Sequence, residues 1–273
     1  MIFLEKNNQA AIDHISQFLK ANWLVSASGA YKYINIGYRD IKRGGFRSYF
    51  VLEQNYICCY CSRKIVDDHT CELEHVIPRS VTQIVDLSKY YDLSDTLKNN
   101  VVLQSDFENA IIEKDSPPFP HHIAYHNIVA SCNGRTFETS ASFTCCNRER
   151  ADDFVPPFNL IKDVIAYLPD GTIVYGTNPQ ERSYFEILNL NKKILIDIRR
   201  LWYLFSLSNL SQEKITSEEI TNLKEHIVEN AISHSTTTIE DIKVLLPQFI
   251  NPELWKLFKE YSYFLSYYRT LAA

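Results

Sequence analysis

The first part of the chain places apolar residues with the period of a helix. Between residues 9 and 23 the apolar positions include Ala11, Ile12, Ile15, Phe18 and Leu19. This spacing predicts an amphipathic helix over Gln9 to Trp23 whose apolar stripe faces a core. Gly44 and Gly45 then interrupt the pattern, and residues 46–54 predict a second, short helix.

The pattern changes again after residue 157. Two apolar runs, 164–167 and 173–175, flank the turn sequence Leu168-Pro169-Asp170-Gly171-Thr172 and predict a β-hairpin. The chain beyond it is mainly helical in pattern, and the last helix carries Trp255, Phe258, Tyr261 and Phe264. Core packing explains these rings better than a base-stacking surface does. We therefore divide the chain into an N-terminal helical segment (1–50), a central module (51–160) and a hairpin plus helical C-terminal region (161–273).

Composition places the chain among ordinary globular proteins. Of its 273 residues 45% are hydrophobic and 22% are charged, which argues against disorder. No apolar run reaches the roughly 18 residues that span a bilayer. Glu5 follows the first apolar residues too soon for a signal peptide. The sequence thus predicts a cytoplasmic protein.

The cysteines change this picture, because all seven lie between Cys58 and Cys146. A secreted disulfide framework would span the whole chain, whereas clustered cysteines in a cytosolic protein more often bind metal than form a redox pair or plain buried thiols. Cys58 and Cys61 have the spacing of a zinc knuckle. Their predicted partners are Cys132 and either Cys145 or Cys146. Cys59 and Cys71 are then ordinary buried thiols, although the sequence leaves Cys71 open as a ligand.

Net charge argues against a simple nucleic-acid binder, since it is −5 at pH 7. The charge is uneven, however. Five basic residues lie among tyrosines near the N-terminus: Lys32, Arg39, Lys42, Arg43 and Arg47. This stretch predicts either a phosphate-facing patch or a solvated basic loop.

Glu74 and His75 offer the chemistry that phosphodiester hydrolysis needs. That reaction requires a base for the attacking water and a cation to stabilise charge on the phosphate. Neighbours in a strand point to opposite sides, so both groups reach one site only where the strand ends or bends. Pro78 supplies such an ending. A histidine alone would more often be structural, but its carboxylate neighbour and the flanking cysteines favour function.

Several motifs together resemble the zinc-containing HNH, or ββα-metal, endonuclease family. They are Cys58-x-x-Cys61, Glu74-His75-Val76-Ile77-Pro78, Asn127-Ile128-Val129-Ala130-Ser131-Cys132 and Cys146-Asn147. The resemblance implies that His75 is the general base and that Glu74, where the family usually has Asp, is a metal ligand. It implies that Asn127 orients the loop around the base and that Asn147 binds the catalytic cation from a helix. Residues 71–77 and 128–131 are expected to be the two strands and 147–153 the helix.

The chain departs from the compact family pattern in three places. Glu replaces Asp, and insertions separate His75 from Asn127 and Cys132 from Cys146. A competing window, Asn100-Val101-Val102-Leu103 followed by Asn109, has the spacing of cysteine-free HNH nucleases. We prefer Asn127 and Asn147 because they adjoin Cys132 and Cys146. The other histidines, His69, His121, His122 and His126, are weaker candidates.

A weaker resemblance extends from about Phe50 to Trp202. The hairpin at Asp170-Gly171 and the stretch Ile187-Leu188-Asn189-Leu190-Asn191, followed by Leu195 and Arg199, resemble HNH proteins of retrons and of the Septu anti-phage system. In that group the nuclease works beside an ATPase subunit. The resemblance implies that the acidic C-terminal region binds protein rather than DNA.

The sequence thus predicts an α+β protein with a zinc-stabilised ββα nuclease module, flanked by an N-terminal helix and a mainly helical C-terminal region. The expected activity is hydrolysis of nucleic acid, DNA before RNA, with Mg²⁺ or Mn²⁺ held by Glu74 and Asn147. Arg79, Arg148 and Arg150 are candidates for flanking phosphates or solvated charges. The alternative is a zinc-binding module that binds nucleic acid or protein without cleaving it.

Overall fold

The protein's structure is a computed structural model that describes residues 4–25, 31–33, 45–110, 116–134, 144–159, 165–174, 179–207 and 252–272. The described helices are α1 (Gln9–Ala21), α2 (Phe46–Glu53), α3 (Ile84–Tyr91), α4 (Asp95–Asn100), α5 (Gln104–Ala110), α6 (Asn147–Arg150), α7 (Pro179–Ile187), α8 (Lys193–Ser206), α9 (Pro252–Glu260) and α10 (Tyr263–Ala272). The described strands are β1 (Trp23–Val25), β2 (Tyr31–Tyr33), β3 (Cys71–His75), β4 (Val101–Val102), β5 (Phe119–Pro120), β6 (Ile128–Cys132), β7 (Ala166–Tyr167) and β8 (Ile173–Val174). They form four two-stranded sheets, so the fold class is α+β, as expected.

Helix α1 confirms the first predicted helix. The Asn8 side chain accepts a hydrogen bond from the Ala11 amide and caps its N-terminus. The predicted apolar stripe is buried, except for the half-buried Phe18. The predicted end at Trp23 is wrong, because the helix stops at Ala21 and Trp23 begins strand β1.

A buried lysine ties α1 to the rest of the protein. The Lys6 ammonium donates to the Ile128 carbonyl at 2.9 Å, lies 3.4 Å from a Glu53 carboxylate oxygen and sits 4.0 Å from the centre of the Tyr125 ring. Burial lowers the pKa of Lys6 to about 8, while Glu53 acts to raise it. A carboxylate, a carbonyl oxygen and an aromatic ring all stabilise this buried ammonium. These contacts fix the start of α1 against α2 and β6.

The central pair is antiparallel, with Cys71 opposite Cys132 and His75 opposite Ile128. This pairing confirms the two expected strands, although β3 ends at His75 rather than Ile77. Burial alternates along β3, where positions 71, 73 and 75 are buried and Glu72 and Glu74 are half-buried. Strand β6 is buried throughout. It therefore runs through the core, while one face of β3 remains reachable from outside.

The insertion between β3 and β6 forms its own small unit of α3, α4, α5 and the parallel pair β4–β5. In that pair Val101 lies opposite Phe119 and Val102 opposite Pro120. The competing window at Asn100 therefore belongs to a different sheet from His75. The strand that pairs with His75 is the one that follows Asn127.

The C-terminal region confirms the predicted hairpin and the core role of its aromatic residues. Strand β7 pairs with β8, and Leu168 and Thr172 close the turn through a main-chain hydrogen bond of 2.9 Å. The four predicted rings are buried, and Phe258 stacks on Trp202 with 4.1 Å between ring centres. The expected single last helix is two helices, α9 and α10, separated by a turn at residues 261–262.

Contacts cross the expected domain boundary at 160/161. The Lys64 amide donates to the Glu260 carbonyl at 2.6 Å, and the Cys146 amide donates to the Leu188 carbonyl at 3.1 Å. The C-terminal helices thus pack directly on the central module, and the division at 160/161 stays a prediction. In the described part of the chain, none of the helices combines the length and apolar character that a membrane crossing requires.

Candidate metal centre and active site

Four cysteines from three separate parts of the chain meet in the core. The sulfur atoms of Cys58, Cys61, Cys132 and Cys146 all lie within 4.8 Å of one another, and all four residues are buried. The Cys61 and Cys132 sulfurs are 3.7 Å apart. Bonds of about 2.3 Å from zinc to tetrahedral thiolates place neighbouring sulfurs about 3.8 Å apart, whereas a disulfide needs about 2 Å. The cluster can bind a metal ion, and its geometry is compatible with structural zinc.

A tight turn presents the first two sulfurs. The Cys58 amide donates to the Arg63 carbonyl at 2.8 Å, and the Ser62 amide donates to the Cys58 carbonyl at 3.1 Å. Gln54 fastens this turn to β6, since its side chain donates to the carbonyls of Ile57 and Ala130 and accepts from the Ala130 amide. Cys132 lies at the end of β6, so Gln54 holds the turn beside the third ligand.

Cys146 rather than Cys145 completes the set of four sulfurs that could hold a metal ion. The Cys145 amide donates to the Gly134 carbonyl at 3.1 Å. Gly134 has φ of +67°, and a Cβ there would lie 2.4 Å from the Cys145 carbonyl oxygen, so only glycine fits. This close approach brings Cys146 to the cluster.

The remaining cysteines are buried thiols outside the set of four. Burial raises the pKa of Cys59 well above its usual range and that of Cys71 to about 12. Burial also raises the pKa of Cys146. A metal ion binds thiolates, so its binding must displace the proton that burial otherwise holds on the Cys146 sulfur.

The C-terminal helices cover the cluster. The Tyr261 hydroxyl donates to the Cys61 sulfur at 3.5 Å, and the Arg63 guanidinium pairs with the Glu260 carboxylate at 2.6 Å. Both partners come from the turn at the end of α9. Hydrogen bonds to ligand sulfurs are the kind of outer contact that orients metal ligands.

Strand β3 places Glu74 and His75 on opposite sides. Glu74 shares its half-buried face with Glu72, and the Asn147 amide at the start of α6 donates to a Glu72 carboxylate oxygen at 3.0 Å. The Arg150 guanidinium lies 3.6 Å from the Glu74 carboxylate. Burial raises the pKa of Glu74 to about 7, although Arg150 acts to lower it. The Asn147 side chain thus contacts Glu72 and lies on the Glu74 face of β3. The His75 side chain lies on the opposite face.

His75 lies at the end of β3 and is 8% exposed. Its Nε2 atom is 2.8 Å from the main-chain carbonyl oxygen of His122. A carbonyl only accepts, so Nε2 carries the proton in this contact, and Nδ1 of the neutral ring bears the lone pair. Burial lowers the pKa of His75 to about 3, which keeps the imidazole neutral near pH 7.

Asn127 holds the chain on both sides of this histidine. Its side-chain oxygen accepts from the Ile77 amide at 2.7 Å, and its nitrogen donates to the carbonyls of Ile77 at 3.1 Å and His121 at 2.8 Å. The residue is fully buried. It fixes both the segment after His75 and the segment that carries His121 and His122.

The three arginines differ in exposure. Arg79 and Arg148 are exposed, whereas Arg150 is 3% exposed and donates to the carbonyls of Asp153 and His75 at 2.6 and 3.1 Å. The expectation that Arg150 holds a flanking phosphate does not fit this inward position. Of the predicted basic patch, Arg39, Lys42 and Arg43 lie outside the described residues, and Arg47 donates to the Asp68 carbonyl at 2.8 Å.

Sequence reasoning missed several residues that shape the site. Gln54 contacts the main chain, and Tyr261 contacts a cysteine sulfur. No spacing of residues in the sequence predicts such contacts. Glu72 was recognisable as the second carboxylate on the Glu74 face, because it precedes Glu74 by two residues in a strand. Comparison of the chain with protein-family models, with curated proteins and with solved structures finds no match. Function is therefore inferred from the site itself.

Proposed function

We propose that the protein is a metal-dependent nuclease of the HNH type that hydrolyses phosphodiester bonds in nucleic acid, with DNA as the first substrate to test. One observation carries the proposal. The strand that contains Glu74 and His75 pairs with the strand that follows Asn127, and the helix that begins at Asn147 contacts its glutamate-bearing face. Two strands and a helix in this order are what the sequence resemblance implies, but the His75 side chain lies on the face of β3 opposite to Glu74.

His75 is the proposed general base. Its Nε2 proton is engaged by the His122 carbonyl, so Nδ1 is the nitrogen able to accept a proton from water. Asn127 positions His75 by holding the segments on either side of it. In this proposal Asn127 acts on the orientation of the base and does not touch the substrate.

Glu74 and Asn147, with Glu72 added, are the proposed ligands of the catalytic cation. Two carboxylates and an amide oxygen suit Mg²⁺ or Mn²⁺. Burial raises the pKa of Glu74, and a bound cation would favour the ionised carboxylate that burial disfavours. A bound divalent cation would supply stabilisation of negative charge on the phosphate. Arg79 and Arg148 are exposed near this module and are the proposed contacts to flanking phosphates.

The test is metal-dependent nicking of supercoiled plasmid by wild-type protein and by His75→Ala. Loss of a general base is expected to lower the rate by about 100-fold or more. His69→Ala is the matched control, since the His69 side chain is 77% exposed. Zinc content and circular dichroism must stay unchanged in both variants. Absence of nicking by wild type with every divalent metal, and with any copurified partner, would contradict the proposal and favour the non-catalytic zinc module.

The sequence resemblance to retron and Septu proteins extends the proposal to anti-phage defence beside an ATPase subunit. The stretch Ile187-Leu188-Asn189-Leu190-Asn191 supports this extension. Purification of the tagged protein from its native host tests it. A stoichiometric ATPase in the eluate is the expected result, and isolation of the chain alone under gentle conditions would contradict it.

A further inference from the structure

A cavity of about 550 Å³ lies beside His75. Its wall comes from the segment after β3, from the start of α5 and from the turn after β5, and it includes Arg79, Leu103, Glu108, His121 and His122. His122 is also the residue whose carbonyl holds the His75 imidazole. The cavity and the proposed base therefore share a wall, and the volume is in the range of small-ligand sites.

His121 is the cavity residue whose ring nitrogens can hydrogen-bond to a bound ligand. The residue is 4% exposed, and neither ring nitrogen has a partner with hydrogen-bond geometry among the described residues. The Arg79 and Val102 carbonyls face the ring, yet burial outweighs them and lowers the pKa of His121. A buried imidazole without hydrogen bonds costs free energy that a bound group can recover.

The donors and acceptors of the cavity suit a nucleobase better than a bare phosphate. A neutral imidazole presents one donor and one acceptor, and a base edge carries both, whereas phosphate only accepts. The Glu108 carboxylate accepts from the Gln104 side chain at 2.8 Å and would repel an anion. It can accept from an amino group of a base. Leu103 and the two imidazole rings offer faces for stacking.

We infer that this cavity binds one unpaired nucleotide of the substrate, with the base beside His121 and Glu108 and the phosphate towards Arg79 at the cavity wall. The inference rests on the proposed function and names its substrate class. A paired base has its edge and faces occupied, so entry requires single-stranded nucleic acid or a base turned out of the helix.

Calorimetric titration with 2′-deoxycytidine 5′-monophosphate, whose base carries an amino group and which has no internucleotide bond to cleave, tests the site directly. Wild-type protein is expected to bind it, and His121→Phe is expected to weaken binding about tenfold by removing the hydrogen-bonding nitrogens. His126→Phe is the matched control, because His126 is also 4% exposed but does not line the cavity. Thermal unfolding of His121→Phe should show no loss of stability, since the ring is kept and unpaired polar atoms are removed.

Three results would overturn the inference. One is the absence of 2′-deoxycytidine 5′-monophosphate binding to wild type at millimolar concentration, and another is equal binding by His121→Phe. The third is equally tight binding of inorganic phosphate, which would leave an anion site without a base pocket.

Cleavage of a single-stranded oligonucleotide separates this inference from the proposed function. A raised KM in His121→Phe with kcat retained supports the inference. Wild-type KM in that variant, with cleavage intact, overturns the inference and leaves the nuclease proposal standing. Binding of the mononucleotide that depends on His121, in a protein that cleaves nothing, supports the inference and removes the nuclease proposal.

Discussion

Asn127 makes three hydrogen bonds to the main chain from a fully buried position, and each partner is buried with it. Asn127→Ala leaves these main-chain groups without partners, which is expected to lower the free energy of unfolding by about 3 kcal/mol. Urea denaturation measures the loss. Asn7→Ala is the control, because the Asn7 side chain contacts Glu5 on the surface, and its unfolding curve should match wild type. A loss of unfolding free energy smaller than half the expected value would contradict the orienting role of Asn127.

His126 makes the protein sensitive to acid. Burial, and then the positive charge of Lys6, lowers the pKa of His126 to about 4 in the folded state, against an ordinary value of 6.5. Its titratable neighbours include Lys6 and Tyr125. As pH falls from about 6.5 to 4 the unfolded chain binds a proton that the folded chain does not, so stability falls in this window.

The contribution of His126 to this loss is roughly 3 kcal/mol across the window. His126→Gln is expected to flatten the plot of unfolding free energy against pH by about that amount. The same substitution at the exposed His69 should leave the slope unchanged. Parallel plots of unfolding free energy against pH for His126→Gln and wild type would contradict the assignment of this acid sensitivity to His126.

At the scale of elements, the turn that carries Cys58 and Cys61 is expected to depend on a metal ion bound by the four sulfurs. Structural zinc contributes roughly 10 kcal/mol or more to folding, so Cys58→Ala is expected to lose both zinc and folded protein. Cys59→Ala provides the matched control, since Cys59 is equally buried but lies outside the four-sulfur set, and about 1 kcal/mol is expected there. Metal analysis of each purified variant measures its zinc content. Full zinc content in Cys58→Ala would disprove its role as a ligand.

Elements with long or regular patterns were predictable, and those held by main-chain contacts were not. Helix α1 follows from periodicity, because a buried stripe leaves a repeated signal in the sequence. The strands β3 and β6 were expected from the motif resemblance instead. Strands β4 and β5 have two residues each and show no period. The ligand set followed from cysteine spacing, with the choice of Cys146 left to the structure. The contact between the His122 carbonyl and His75 uses a main-chain group that every residue carries, so no sequence pattern predicts it.

On the scale of the whole molecule, the C-terminal helices and the metal cluster share contacts and should unfold together. Phe258 is fully buried against Trp202 on one side, and the Tyr261 hydroxyl reaches the Cys61 sulfur on the other. Phe258→Ala is expected to cost about 4 kcal/mol. Urea titration followed by tryptophan fluorescence and by a zinc-release dye should give coincident transitions for wild type and variant. Two separated transitions would instead support independent folding of residues 161–273.

The distribution of the four sulfurs along the chain has a consequence for biosynthesis. Cys58 and Cys61 leave the ribosome well before Cys132 and Cys146, so the nascent chain first offers only half of a tetrahedral site. A chain folds from its N-terminus as it emerges, and complete ligation must wait for the Gly134 and Cys145 approach that delivers the last thiolate. On the proposed zinc assignment, the metal can complete its coordination only after Cys146 has left the ribosome.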